Sequence, residues 1–142
     1  MAGEKKQQSV LDAGADQVLV RGASLEAALG KNVLDVVIDL VGGDDWPELL
    51  TILTPFGRYA VSGAIAGPIV ELDLRTLYLK DQRFLGCTVL DDGVFSRLVG
   101  LIEEGDLKPL LARSFALESL SEAQAFFLDK QFTGKLVIDM GL

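Results

Sequence analysis

Few residues in this chain could do covalent or acid–base chemistry. It has no histidine and a single cysteine, Cys87. A Ser-His-Asp triad, a Cys-His pair and a Cys/His zinc site are therefore all beyond its own residues. Cys87 cannot close an internal disulfide, and its apolar surroundings read as those of a small buried hydrophobe rather than a nucleophile. A general acid would have to be a carboxyl, Lys or Tyr, and no candidate catalytic residue stands out. Asp35 and Asp39 lie in the run Val33-Leu34-Asp35-Val36-Val37-Ile38-Asp39-Leu40-Val41-Gly42-Gly43. They form either an acid–base pair or, because Asp39 falls inside the apolar run, a structural hydrogen bond. The remaining chemistry is that of the backbone. Leu40-Val41-Gly42 and Ser62-Gly63-Ala64 read as strand ends, and glycine there lets main chain approach a flat ligand without a Cβ in the way. The plainer alternative is a strand-to-helix turn that needs glycine for its geometry.

These positions depend on an alternation of strands and helices. Val33–Val41 lacks the polar alternation of a half-exposed strand and reads as a buried parallel one. Arg58–Ser62, Arg83–Val89 and Gly134–Met140 are further strands, with a short one at Gln17–Val20 and an ambiguous extended stretch at Leu107–Phe115. Helices are expected over Glu4–Ala13, from Ser24 to Leu29, from Trp46 to Leu53, over Leu72–Lys80, Gly93–Glu104 and Ser121–Asp129. Ser24 is the N-cap of the second, supported by its own Glu26, and Gly30 ends it. Pro47 falls in the first turn of the third, where its missing N–H costs little. Val94, Leu98, Leu101 and Ile102 should face inward from one late helix, and Ala123, Phe126 and Phe127 from the other. The class is α/β with a mainly parallel sheet.

Composition narrows the partners. The 142 residues carry a net charge of −8 and a pI near 4.4, so neither nucleic acid nor an anionic membrane is an expected partner. An apolar content of 49% and a mean hydropathy of +0.34 suit strands covered on both faces. The apolar stretches are too short and too interrupted to span a bilayer. The N-terminus lacks an export signal's hydrophobic core, and a cytoplasmic protein of one domain's length is the expectation.

The ordered set of motifs resembles the medium-chain dehydrogenases/reductases, with the quinone oxidoreductase branch nearest and zinc-type alcohol dehydrogenases next. Lys6-x-x-Ser9-x-x-x-x-Gly14-Ala15-Asp16 is similar to the helix and corner after the second strand of the family's cofactor domain. Asp35–Gly43 resembles the fourth strand, and Gly57-Arg58-x-x-x-x-Gly63 the fifth with its turn. Leu74-x-x-Leu77-x-x-Lys80 with Phe84-Leu85-Gly86-Cys87 resembles the approach to the sixth. Glu104-Gly105-x-Leu107-x-Pro109 and Gly134-Lys135-Leu136-Val137 match the closing segment. The resemblance covers essentially the whole chain. No Gly-x-Gly-x-x-Gly opens a helix anywhere in it.

The resemblance implies a partial Rossmann-type doubly wound parallel sheet, lacking its first strand and glycine-rich loop, from the family order 3-2-1-4-5-6. It implies a chain without the catalytic domain, with no residue onto which a catalytic role or zinc ligand can be carried. The Leu40-Val41-Gly42 turn would follow the adenosine and ribose side of a nicotinamide dinucleotide. Main-chain groups of Ser62-Gly63-Ala64 and Cys87-Thr88-Val89 would meet the nicotinamide carboxamide. Gly3, Lys6 and Arg21 would fall where the family chooses between dinucleotides; with Lys5, their charge favours NADP over NAD, and Glu4 opposes it. Lys80 and Lys135 would approach a phosphate or pair with surface carboxylates. The parent would be an NADP(H)-dependent oxidoreductase acting on a small-molecule substrate, this chain alone being inactive. The alternative is a non-enzymatic α/β interaction or scaffold module. Removing a central strand would expose unpaired edges beside apolar surface. A homodimer through Phe84–Val89 is the expected association.

Overall fold

The structure, a computed structural model, describes residues 1–141. The chain divides into two compact units, Met1–Leu90 and Asp91–Leu142.

In the first unit, β1 (Leu34–Asp39), β2 (Leu53–Val61) and β3 (Arg83–Gly86) form a three-stranded parallel sheet in the order β1-β2-β3. Neighbours in sequence are neighbours in space, each joined by a helical crossover: α3 (Trp46–Ile52) between the first two, α4 (Leu74–Leu79) between the second and third. The register Val37↔Tyr59↔Phe84 puts three apolar side chains in a row on one face. Trp46, Leu50 and Leu53 complete the core there. Trp46 meets the other two rings edge-on, with centroids 4.7 Å from Tyr59 and 5.4 Å from Phe84. Its indole N–H donates to the Glu71 carbonyl at 3.0 Å, so the ring is anchored at both its apolar and its polar end.

The opposite face carries the rows Val36↔Arg58↔Arg83 and Ile38↔Ala60↔Leu85. Ile38 is 73% exposed. β1 was expected to be covered on both faces, but burial alternates along it. The core helix α3 covers one side of the sheet, and the apolar residues of the other meet solvent.

Local chemistry explains the connections. Pro47 lies in the first turn of α3 as expected. The Lys80 ammonium closes the other end, donating to the Leu50, Thr51 and Leu53 carbonyls at 3.1 Å each. Those acceptors would otherwise be left over at a helix end. Burial, and to a lesser degree the charge of Lys31, hold the Lys80 ammonium below its ordinary pKa. Lys80 thus binds helix carbonyls, in place of the phosphate or carboxylate expected for it. Pro55-Phe56-Gly57 forms the expected turn, but inside β2: register jumps from Leu34↔Leu53 to Val36↔Arg58, so the segment bulges out of the ladder.

α2 (Leu25–Leu29) starts at Ser24, whose hydroxyl accepts from the Ala27 N–H at 3.2 Å. The support comes from Glu48 of α3 and not from Glu26. The Glu48 carboxylate takes the Ser24 hydroxyl and the N–H groups of Leu25 and Glu26. Glu26 instead pairs with Lys31 at 3.1 Å. The expected Glu4–Ala13 helix begins as a 3₁₀ turn over Glu4–Lys6 and continues as α1 (Gln7–Asp12). Gln17–Val20 is not a strand. Among the described residues of this stretch only Val20 is bridged, to Ala2.

The second unit holds α5 (Val94–Glu103), β4 (Leu111–Ala116), α6 (Leu120–Asp129) and β5 (Lys135–Asp139), with β4 and β5 paired in parallel. Phe115 and Ala123 are buried there among the described residues. Arg113 lies over the Phe115 ring, 4.4 Å from its centroid, and pairs with Glu122 at 2.9 Å. Ala123 and Phe126 face inward as expected, whereas Phe127 is exposed. Leu98, Leu101 and Ile102 of α5 are exposed too, and Val94 is half-buried. A unit of this size cannot cover every apolar stripe of its helices. Among the described residues no helix is long and apolar enough to cross a membrane.

Candidate functional site

Parallel strands in register end on the same edge, and here the ends of β1, β2 and β3 bring most of the candidate residues together. Leu40, Val41 and Gly42 follow β1, Ser62, Gly63 and Ala64 follow β2, and Cys87, Thr88 and Val89 follow β3. Main-chain bonds tie the three ends across the sheet. The Ser62 N–H donates to the Asp39 carbonyl at 3.0 Å and the Cys87 N–H to the Val61 carbonyl at 2.8 Å. Cys87, expected to be buried, is exposed, one residue past the end of the edge strand β3. Val89 is 93% exposed.

The glycines serve close chain approach. Ala66 N–H donates to the Val41 carbonyl at 2.9 Å, and Gly43 N–H to the Gly67 carbonyl at 3.1 Å, so the loop after β2 folds over the turn after β1. A Cβ on Gly42 would lie 2.8 Å from the Gly67 carbonyl oxygen, and one on Gly63 would lie 2.5 Å from that of Leu40. Gly42 also has φ +63°, a conformation that side chains disfavour. The space a Cβ would take at Gly42 and Gly63 is occupied by neighbouring backbone. The exposed surface of the edge is the outer side of that double turn.

Beneath it lies a feature that the sequence left open. Asp39, the last residue of β1, is 6% exposed. One carboxylate oxygen accepts from the N–H groups of Val41 at 2.8 Å and Gly42 at 3.0 Å, and the other takes the Tyr59 hydroxyl at 2.5 Å. Burial raises the carboxyl's pKa, but the Tyr59 hydroxyl and the two N–H donors together outweigh it. The group ends below its ordinary value. Tyr59, 2% exposed, is pushed well above the usual phenol range, first by burial and then by the bond to Asp39 and its charge. Asp39 therefore makes structural hydrogen bonds. Asp35 instead accepts from the Thr54 hydroxyl at 3.2 Å. Tyr59 was missed at the sequence level. The signal was available: a carboxylate closing an apolar strand needs a donor, and a tyrosine one strand away on the same face can supply it.

Gly3, Lys6 and Arg21 form a second group around the Ala2–Val20 bridge. Arg21 N–H donates to the Ala2 carbonyl at 2.9 Å, and Lys6 N–H to that of Gly3 at 2.9 Å. Gly3 and Arg21 are exposed and Lys6 is half-buried. Lys135, at the start of β5, is exposed.

In the second unit, a cleft of about 310 Å³ lies at the ends of β4 and β5, lined in part by Ser114, Glu118 and Asp139. An apolar groove of about 410 Å³ runs between α6 and β5. None of the candidate residues lines either one.

Comparison with known proteins decides the family. Residues 13–138 match the family described as zinc-binding dehydrogenase. The chain belongs to the zinc-binding dehydrogenases. It is 30% identical over 151 residues to quinone oxidoreductase-like protein 2 of Bos taurus, covering 96% of this chain and 43% of that protein. A solved structure of a candidate alcohol dehydrogenase from Sinorhizobium meliloti 1021 is 46% identical, with a TM-score of 0.84 over 97% of this chain and 40% of the other. A thermostable alcohol dehydrogenase of Pyrobaculum aerophilum, solved with cobalt and zinc bound, is 31% identical with a TM-score of 0.77, over 96% and 40%. The chain thus spans less than half the length of each. These likenesses are those of a medium-chain dehydrogenase/reductase, and the partial Rossmann-like sheet matches the family's cofactor-binding domain.

The family's name implies zinc, and this chain's residues do not fit it. They include no histidine and one cysteine, and among the described residues no three His, Cys, Asp or Glu side chains are grouped to hold a metal ion.

Two outcomes check this geometry. Gly63→Ala should destabilise the first unit by ~1–3 kcal/mol in urea unfolding, because its methyl meets backbone that cannot rotate away. Asp39 holds its proton less tightly when folded than when unfolded. Its contribution is therefore complete above the ordinary value of 3.8 and is lost as pH falls through the lower folded value. Asp39→Asn should flatten that acid limb of a stability–pH curve, and Tyr59→Phe should shift it upward.

Proposed function

We propose that this chain forms one wall of a nicotinamide dinucleotide cleft in an oxidoreductase. The observation that carries the reading is the shared edge of β1, β2 and β3, in a chain of the zinc-binding dehydrogenase family. Open α/β sheets bind ligands at the carboxyl ends of their strands. Leu40, Val41 and Gly42 would lie along the adenosine side. Gly63, Ala64, Thr88 and Val89, with the carbonyls of Ser62 and Cys87, would present main-chain groups to the nicotinamide carboxamide. Bound there, the cofactor would supply hydride chemistry, while the chain's own main-chain groups would orient it along the edge. We assign no catalytic residue to this chain, so it should turn over no substrate by itself.

Lys6 and Arg21, whose main chains lie on either side of the Ala2–Val20 bridge, would favour NADP over NAD by offering positive charge to a 2′-phosphate. The pyrophosphate has no helix opening on Gly-x-Gly-x-x-Gly to receive it, which should leave affinity weak. Energy transfer from Trp46, the chain's one tryptophan, to the dihydronicotinamide ring offers a direct titration. NADPH should bind weakly but more tightly than NADH, and replacing Lys6 and Arg21 together by Ala should erase a preference of about tenfold. Equal, tight binding of both nucleotides would overturn the reading.

β3 stands at an edge of its sheet, with Leu85 and Val89 exposed. Such an edge offers unpaired main-chain groups, and we read residues 84–89 as a homodimer seam. Sedimentation velocity should show a dimer that Leu85→Asp returns to monomer; a monomeric wild-type chain at high concentration counts against the seam.

A further inference from the structure

The turn after β1 looks like an anion site: a strand ends in Gly-Gly and a helix follows. Its two leading N–H groups, Val41 and Gly42, are nevertheless already spent on the Asp39 carboxylate at 2.8 and 3.0 Å. That carboxylate is 6% exposed and held from its far side by the Tyr59 hydroxyl. Tyr59 is in turn fixed between Trp46 and Phe84, and Trp46 is anchored to the Glu71 carbonyl. A chain of contacts therefore runs from the aromatic core to the main chain of the turn. We infer that Asp39 is the positioning residue of this ledge, and that with Tyr59 it reserves the ledge for an uncharged, hydroxyl- or amide-bearing part of a ligand. The inference rests on the cleft proposed above and deepens it. A phosphate placed there would face a buried negative charge and find both nearest donors occupied. An uncharged hydroxyl or carboxamide meets no such repulsion and does not depend on either of the two occupied donors.

The test follows the amide resonances and hydrogen exchange of Val41 and Gly42 in the whole chain, with NADPH and inorganic phosphate as separate probes. NADPH should move both resonances and phosphate should leave them in place. In Asp39→Ala, exchange at both amides should quicken, and NADPH affinity fall, by about tenfold at a temperature where circular dichroism shows the chain folded. Asp39→Asn, which keeps the acceptor in place, should restore most of that affinity; a residue that served stability alone would leave affinity per folded molecule unchanged in every variant. Should Asp39→Ala not fold, Tyr59→Phe carries the comparison, with a smaller loss of the same sign. Phosphate moving the two resonances, or unchanged exchange and affinity in the folded variants, overturns the inference. If NADPH binds elsewhere on the chain, the ledge falls but nucleotide binding stands. If NADPH does not bind at all, the cleft falls, and the exchange and phosphate measurements still decide whether Asp39 holds the turn closed to anions.

Discussion

A carboxylate sealed beneath a strand end must be satisfied on every side, and in the first unit Asp39 meets that demand with two backbone N–H groups and a phenol. Leaving such a group unpaired would incur the full desolvation penalty of a buried charge. The requirement therefore fixes the surroundings. Tyr59 must stand in the second strand on the same face, the turn must curl back so that Val41 and Gly42 point inward, and the loop over it must come close enough to exclude a Cβ at Gly42 and Gly63. Electrostatics, packing and chain path at the strand edge all follow from one buried charge.

The sheet built on this edge is one-sided. Trp46, Leu50, Leu53, Tyr59 and Phe84 concentrate its core on one face. Val36, Ile38 and Leu85 lie open on the other. Apolar surface of this kind marks a place for association. The second unit is organised differently, around Phe115 and Ala123 with an arginine laid over the ring. Its parallel pair of strands repeats the crossover logic on a smaller scale.

Much of the local structure was legible from residue types. The Val-Ile run of β1, the glycine turn after it, Pro47 in the first turn of α3 and the Ser24 cap all rest on interactions within a few residues. What could not be read depends on distant chain. Glu48 supports the α2 cap from another helix, and Lys80 closes α3 from beyond the next strand. Tyr59 satisfies Asp39 across a strand pair whose register no single sequence reveals. Cys87 was misjudged because it ends an edge strand whose Leu85 is exposed as well, where hydrophobicity does not imply burial. The strand edge was found from glycine spacing, but the tightness around those glycines belongs to the loop that packs on them. Gln17–Val20 failed for the opposite reason. Its residues suit a strand, and only a partner was missing.

The bulge in β2 has a bearing on folding fidelity. Between Leu53 and Arg58 the chain leaves the ladder and re-enters it with Phe56 at φ +63°, pinned by its N–H to the Lys80 carbonyl at 2.7 Å. Sliding the upper strand by one place would turn the Arg58 guanidinium toward Trp46 and send Tyr59 out to water. The shifted register would thus carry a buried cation and an orphaned Asp39 together, a double fault that disfavours it against the native one.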